Sequence, residues 1–312
     1  MKDRLVTLIG GGGFLGRYVA QELYRTGARV RIAQKRPRDA WFLKPLGGLG
    51  QTQFAAADVT RPDTIARAIE GSDLVVNLAG TFGSNMAKVH VDGAHNVAEA
   101  ARRSGVEALV HLSALGADVE SPAAYGRSKA QGERAVREAF PAVTILRPSV
   151  MFGREDAFVN RFAAMISAAP IVPILRAEAQ FQPAYVTDVA TAVVKALSDP
   201  ARHGGHLYEL GGPDVLTMAA LHRWIAGAVG REARFVEMPD AIGSLIAMFG
   251  VLPGAPITGD QWQMLQQDNV VSAGGEGFDK FDITPTPLAT VATGWLVRFR
   301  RHGRFGQLGA AA

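Results

Sequence analysis

The chain has 312 residues, 48% hydrophobic and 20% charged, enough for a globular fold with a large buried core. It contains no cysteine, which excludes disulfides, thiolate catalysis and cysteine-held zinc or iron–sulfur centres. The formal net charge of +4 suits an anionic ligand or surface, but no nucleic-acid-binding motif accompanies it, so no nucleic acid partner is expected.

The run Leu5-Val6-Thr7-Leu8-Ile9 is apolar and β-branched and reads as a buried parallel strand. It enters Gly10-Gly11-Gly12-Gly13-Phe14-Leu15-Gly16, and a helical pattern follows. Gly11, Gly13 and Gly16 fit G-x-G-x-x-G, while Gly10, Gly13 and Gly16 fit the looser G-x-x-G-x-x-G. Between a strand and a helix, such glycines allow a tight turn, a close approach to a pyrophosphate and close helix packing. The helix start adds free N–H groups for phosphate. A dinucleotide site built on Gly10, Gly13, Phe14, Leu15 and Gly16 is expected rather than a flexible glycine loop. Met1-Lys2-Asp3-Arg4 before the apolar run is like the start of a signal peptide. No small-residue cleavage pattern follows, so none is predicted.

Strands are predicted at 30–33, ending at 59, at 74–80, 109–113 and 143–146, with helices at 64–69, 91–103 and 123–140 between them. This alternation predicts an α/β fold with a doubly wound parallel (Rossmann) sheet over residues 1–150. Its binding loops should lie at the strand C-termini. Beyond 150 the pattern loosens. Helices at 158–168 and 218–229, a strand turning into a helix at 185–197 and a strand at 207–210 predict a smaller substrate-side lobe over 151–312. That lobe is expected on the same sheet, with a basic C-terminal tail. The apolar stretch 241–252 is too short to span a bilayer.

The second strand ends in Gln34-Lys35-Arg36, with none of the acid that usually binds a ribose 2′-hydroxyl in an NAD site. Lys35 and Arg36 suit a 2′-phosphate, so NADP(H) is expected over NAD(H). A solvated basic loop is the plain alternative. Asp58 and Val59 either flank the adenine or make a simple turn. Leu78, Ala79 and Gly80 follow Asn77 where backbone passes the cofactor, though the glycine also suits a turn.

Tyr125-Gly126-Arg127-Ser128-Lys129 places a tyrosine and a lysine at i and i+4 on one helix face. Ser121-Pro122 before them suit an N-cap and a first turn. A neighbouring ammonium is expected to lower the Tyr125 phenol toward neutrality. Tyr125 would then exchange a proton with a substrate oxygen, and Lys129 would also hold the nicotinamide ribose. An ordinary surface pair is the alternative.

These residues carry a family resemblance. The glycine motif, Asn77-Leu78-Ala79-Gly80, Tyr125 with Lys129, Leu146-Arg147-Pro148-Ser149 and Val186-Thr187-Asp188-Val189-Ala190 resemble the extended and atypical short-chain dehydrogenases/reductases. The chain is similar, more narrowly, to the branch holding the nucleotide-binding accessory subunit of respiratory complex I. Gly13-Phe14-Leu15-Gly16-Arg17-Tyr18-Val19, Phe181-Gln182-Pro183, Tyr208-Glu209-Leu210-Gly211-Gly212-Pro213 and Trp295-Leu296-Val297-Arg298-Phe299-Arg300-Arg301 carry that match. The resemblance implies an NADP(H) site bordered by Pro148, and association with complex I or ubiquinone metabolism. It also implies a hydroxyl after the fifth strand to bind the substrate oxygen. Ser113 stands there, but the serine that commonly follows is Ala114, and Asp92 replaces a common asparagine before Gly93.

Asp188 reads as an N-terminal helix residue rather than a catalytic one. The seven histidines show no ligand spacing, so no metal is expected. Two functions follow: an NADP(H)-dependent oxidoreductase using Tyr125 and Lys129, or a nucleotide-binding accessory or assembly factor with little turnover. A redox sensor reading the NADP(H) ratio has no dedicated motif. The protein is expected in the cytoplasm. Residues 241–252, with Trp295, Phe299 and Phe305 among arginines, suggest peripheral contact with the inner membrane face; a core helix and a solvated tail are the alternative.

Overall fold

Seven parallel strands form one sheet, in the order Leu207–Leu210, β6 (Thr144–Pro148), β5 (Ala108–Leu112), β4 (Leu74–Asn77), β1 (Leu5–Ile9), β2 (Arg29–Gln34), β3 (Thr52–Ala56). The computed structural model describes residues 1–248, 257–301 and 303. The inner strands are continuous apolar runs because both sheet faces are covered: every residue of β1, β4 and β5 is buried. Helices α1 (Phe14–Arg25), α2 (Pro62–Ile69), α3 (Gly93–Arg103) and α4 (Ala124–Ala139) supply the crossovers. On one face Ile9, Val75, Leu109 and Ile145 pack with Val97, Ala98, Ala101 and Val136. The chain reverses direction across the sheet between β1 and β4, which opens the crevice where ligands of such sheets bind.

The unit holding this sheet comprises Met1–Pro148, Val186–Leu210 and Ser272–Thr284. Its helix Val186–Ser198 carries Asp188 in the first turn, where a carboxylate suits the helix dipole. Sequence periodicity missed the 3-10 segment Pro37–Leu46, which buries Ala40 and Leu43 but leaves Trp41 and Phe42 exposed.

The second unit comprises Ser149–Tyr185 and the described parts of Gly211–Val271 and Pro285–Ala312. Among its described residues are three two-stranded pairs and a core that includes Phe152, Val159, Ile166, Leu221, Ile225 and Leu296. Trp295 and Phe299, for which the sequence left headgroup contact or a solvated tail open, are half-buried and pack on this core. Arg298 and Arg300 donate to the Arg154 and Ala228 carbonyls, at 3.3 and 3.2 Å. Of 241–252, the helix Asp240–Met248 is described. It buries Gly243 and Ala247 and exposes Ile242, Leu245 and Met248. Residues 249–252, Arg304 and Phe305 lie outside the described residues.

Candidate functional site

The glycine loop has the shape that a bound pyrophosphate needs. Gly10 turns with φ +79°, and a Cβ there would come within 3.2 Å of the Ala79 nitrogen, so the β1 and β4 ends stay in close contact. A Cβ on Gly16 would overlap the Gly11 carbonyl, so only glycine lets α1 sit so near the strand end. Gly13 differs: its added Cβ would meet only the Gly10 oxygen, at 3.4 Å. Gly13 is extended and no side chain caps the helix, which leaves the first-turn N–H groups at Phe14, Leu15 and Gly16 for an anion. The residues present fit a dinucleotide.

At the end of β2, Gln34 does what the sequence did not disclose. Its Oε1 accepts the Gly12 N–H at 2.9 Å, and its Nε2 donates to the Arg36 carbonyl at 2.7 Å. One side chain thus fixes the glycine loop against the segment carrying Lys35 and Arg36. Lys35 pairs with an acid outside its own strand. Its Nζ lies 3.3 Å from Asp58 Oδ2. Asp58 also accepts from the Thr60 amide and hydroxyl, at 3.0 and 2.8 Å. Burial pushes the Asp58 carboxyl up, but the Thr60 bonds and Lys35 outweigh it and hold it below the usual range. Arg36 is exposed. Val59 is a core residue, and its carbonyl accepts from Asn96 at 2.8 Å.

After β4, Leu78 continues the ladder to the Ile9 carbonyl at 2.9 Å. The Ala79 N–H donates to Asn77 Oδ1 at 3.1 Å. That orients the Asn77 amide so that Nδ2 donates to His111 Nδ1, also at 3.1 Å. His111 is therefore the Nε2–H tautomer, and burial followed by Lys129 pushes it down to about 3. Pro148 closes β6, and its carbonyl accepts from the Leu115 N–H at 3.0 Å.

Tyr125 and Lys129 lie on α4 as expected, but the helix begins at Ala124, so Ser121 is not its cap. Ser121 Oγ accepts from the Ala123 N–H at 3.3 Å. Lys129 is buried, and its Nζ donates to the Leu112 carbonyl at 2.8 Å. The ammonium stands 5.9 Å from the centre of the Tyr125 ring. Burial lowers Lys129 to about 8, with Glu133 acting the other way. Burial also raises Tyr125 to about 12, opposite to the lowering expected from an adjacent ammonium. Desolvation of the phenolate is the cause. Ser113 is buried, and its Oγ has no hydrogen-bond partner among the described residues; nor has His111 Nε2. The Ser113 N–H continues the strand ladder to the Leu146 carbonyl at 2.8 Å. Buried polar atoms left unpaired at a strand C-terminus fit a ligand that completes them.

Two more residues reach this site without any sequence signal. Phe82 stacks on Tyr125, ring centres 4.5 Å apart at 13°. His90 stands edge-on to the same ring. Each is a lone aromatic residue in a segment without regular spacing, so only the fold identifies it.

Residues 6–211 match the model of the NAD dependent epimerase/dehydratase family. The chain is 33% identical to NADH dehydrogenase (ubiquinone) 1 alpha subcomplex subunit 9, mitochondrial, of Arabidopsis thaliana, over 96% of this chain and 79% of that protein. The mouse protein of the same name (Mus musculus) is 34% identical over 96% and 81%. Among solved structures, Citrobacter sp. triphenylmethane reductase superposes with a TM-score of 0.77, covering 93% of this chain and 99% of that one. At 17% identity that likeness speaks for the fold alone.

Proposed function

The chain belongs to the NAD dependent epimerase/dehydratase family, and from that membership we propose that it binds NADP(H) and reduces a small carbonyl-type substrate with Tyr125, Lys129 and Ser113. The observation that carries this reading is the trio itself. The buried Lys129 Nζ bonds the Leu112 carbonyl at the end of β5 and stands 5.9 Å from the Tyr125 ring centre, and the next residue, Ser113, has a buried hydroxyl without a hydrogen-bond partner among the described residues. The nicotinamide, when bound, supplies or accepts the hydride. Tyr125, held protonated with its acidity weakened to about 12, donates its phenolic proton to the substrate oxygen as charge develops there. Ser113 Oγ–H holds that oxygen. Lys129 holds the cofactor ribose and balances the phenolate that remains. Arg36, with Lys35 shared with Asp58, supports a preference for the 2′-phosphate.

A second reading is an accessory subunit of a complex I-like or quinone-linked assembly, with the dinucleotide as a structural ligand that stabilises the folded state. The 33% identity, over 96% of the chain, to a mitochondrial NADH dehydrogenase (ubiquinone) subunit favours it, as does Phe82 lying over Tyr125. Peripheral contact with anionic lipid through Ile242, Leu245 and Met248 belongs with either reading. No helix among the described residues is long and apolar enough to cross a membrane.

Native purification with mass spectrometry of bound nucleotide and co-purifying proteins, followed by NADPH oxidation with quinones, ketones and enones, separates the two. Wild-type turnover, with Tyr125→Phe reduced by about 100-fold and its NADPH affinity unchanged, is the expected result. Equal activity in Tyr125→Phe removes Tyr125 as the proton donor.

A further inference from the structure

Helix α4 meets the turn before α3 at a backbone contact with no room for a side chain. A Cβ on Gly132 would overlap the carbonyl oxygen of His90. His90 lies in a π-helical turn, Lys88–Asp92, that runs directly into α3. Such turns widen the helix locally and re-aim side chains, often at functional sites. Here the imidazole is buried, with its ring centre 5.5 Å from that of Tyr125 at 88°.

Both imidazole nitrogens are used. Nε2 accepts from the Thr81 backbone N–H at 3.0 Å, so it carries no proton. The proton is on Nδ1, which donates to Ser128 Oγ at 2.9 Å. The Ser128 hydroxyl then donates to the Tyr125 carbonyl at 3.0 Å. The three bonds run in one direction, each donor meeting one acceptor. At one end is the loop after β4, where Phe82 follows Thr81 and stacks on the Tyr125 ring. At the other is the first turn of α4. Only the neutral imidazole can do this, because a protonated Nε2 would face the Thr81 N–H donor to donor. Burial, and then Lys129, push His90 down to about 4, which keeps it neutral.

We propose that His90 is a positioning residue: it ties loop 81–85 to the first turn of α4 and so sets how far Phe82 covers the Tyr125 phenol. The tie stands on hydrogen bonds alone. Its consequence for turnover rests on the oxidoreductase reading above.

Three variants separate the two ends of the tie. His90→Gln offers an acceptor near the Nε2 position and gives up Ser128. His90→Asn keeps the reach to Ser128 and gives up Thr81. His90→Ala removes both. The readouts are 15N shifts of the wild-type imidazole, amide hydrogen exchange at Thr81 and Phe82, NADPH affinity and turnover. The wild type should show a neutral Nδ1–H imidazole at pH 7. Exchange at Thr81 should rise about tenfold in His90→Ala and His90→Asn, as one lost hydrogen bond allows, and by less than about threefold in His90→Gln. Turnover should fall with Thr81 protection while NADPH affinity stays within about threefold. An Nε2–H tautomer in the wild type overturns the proposal, and needs no variant to fold. Unchanged Thr81 exchange in His90→Ala also overturns it. If the wild type shows no turnover while tautomer and exchange behave as stated, the tie stands and only the oxidoreductase reading falls.

Discussion

Lys129 Nζ donates to the Leu112 carbonyl at 2.8 Å, so helix α4 is held to the end of β5 by a buried ammonium. That bond joins α4 to the sheet where the substrate oxygen would lie. It also carries a desolvation cost, which lowers Lys129 from 10.5 to about 8.

The cost has a signature in stability. Below pH 8 the group is charged in both states, and above 10.5 it is neutral in both. Between them the unfolded chain binds more protons, so stability from this group rises with pH. Against a Lys129→Met variant, the wild type should gain up to about 3 kcal/mol from pH 7 to pH 10.5. Urea denaturation of both proteins at several pH values checks this. A constant difference between them would mean that the ammonium is not desolvated.

Gly13 and Gly16 should fail in different ways. Gly16→Ala drives a methyl into the Gly11 carbonyl and should cost about 1–3 kcal/mol of stability, with a lower thermal midpoint. Gly13→Ala meets only the Gly10 oxygen at 3.4 Å and should fold nearly as well, yet bind dinucleotide poorly because the methyl occupies the phosphate approach. Thermal melts paired with calorimetric titration separate the effects. Full NADPH affinity in Gly13→Ala would place the pyrophosphate elsewhere.

Arg36 is exposed after β2, and Lys35, also exposed, is already shared with Asp58. NADPH should therefore bind more tightly than NADH, and Arg36→Ala should lose about 1.5–3 kcal/mol toward NADPH with little change toward NADH. Lys35→Ala should lose less. Equal affinity of the wild type for both dinucleotides would end the 2′-phosphate assignment.

The helix Asp240–Met248 exposes Ile242, Leu245 and Met248, whereas Trp295 and Phe299 pack within their own unit. Lipid contact should therefore depend on the helix. Flotation with anionic vesicles should fall in the Ile242→Ser, Leu245→Ser, Met248→Ser triple variant and persist in Trp295→Phe. No flotation of the wild type at low salt removes the membrane contact.

Local pattern by itself determined the strand–glycine–helix opening, the βα alternation, and Tyr125 with Lys129 on one helix face. Their signals are short-range: apolar periodicity, glycine where backbone must turn or approach, and i,i+4 spacing on a helix. The family followed from the same stretches. Tertiary structure decided what depends on neighbours distant in sequence. It paired Lys35 with Asp58, aimed Gln34 at Gly12, and brought Phe82 and His90 to Tyr125. It also returned Val186–Leu210 and Ser272–Thr284 to the unit of the first sheet, and packed Trp295 inward. Above all it set the acid–base character of the site. Spacing alone suggested a lowered tyrosine, but the acidity of a phenol depends on how much water the fold removes from around it, and here burial weakens it.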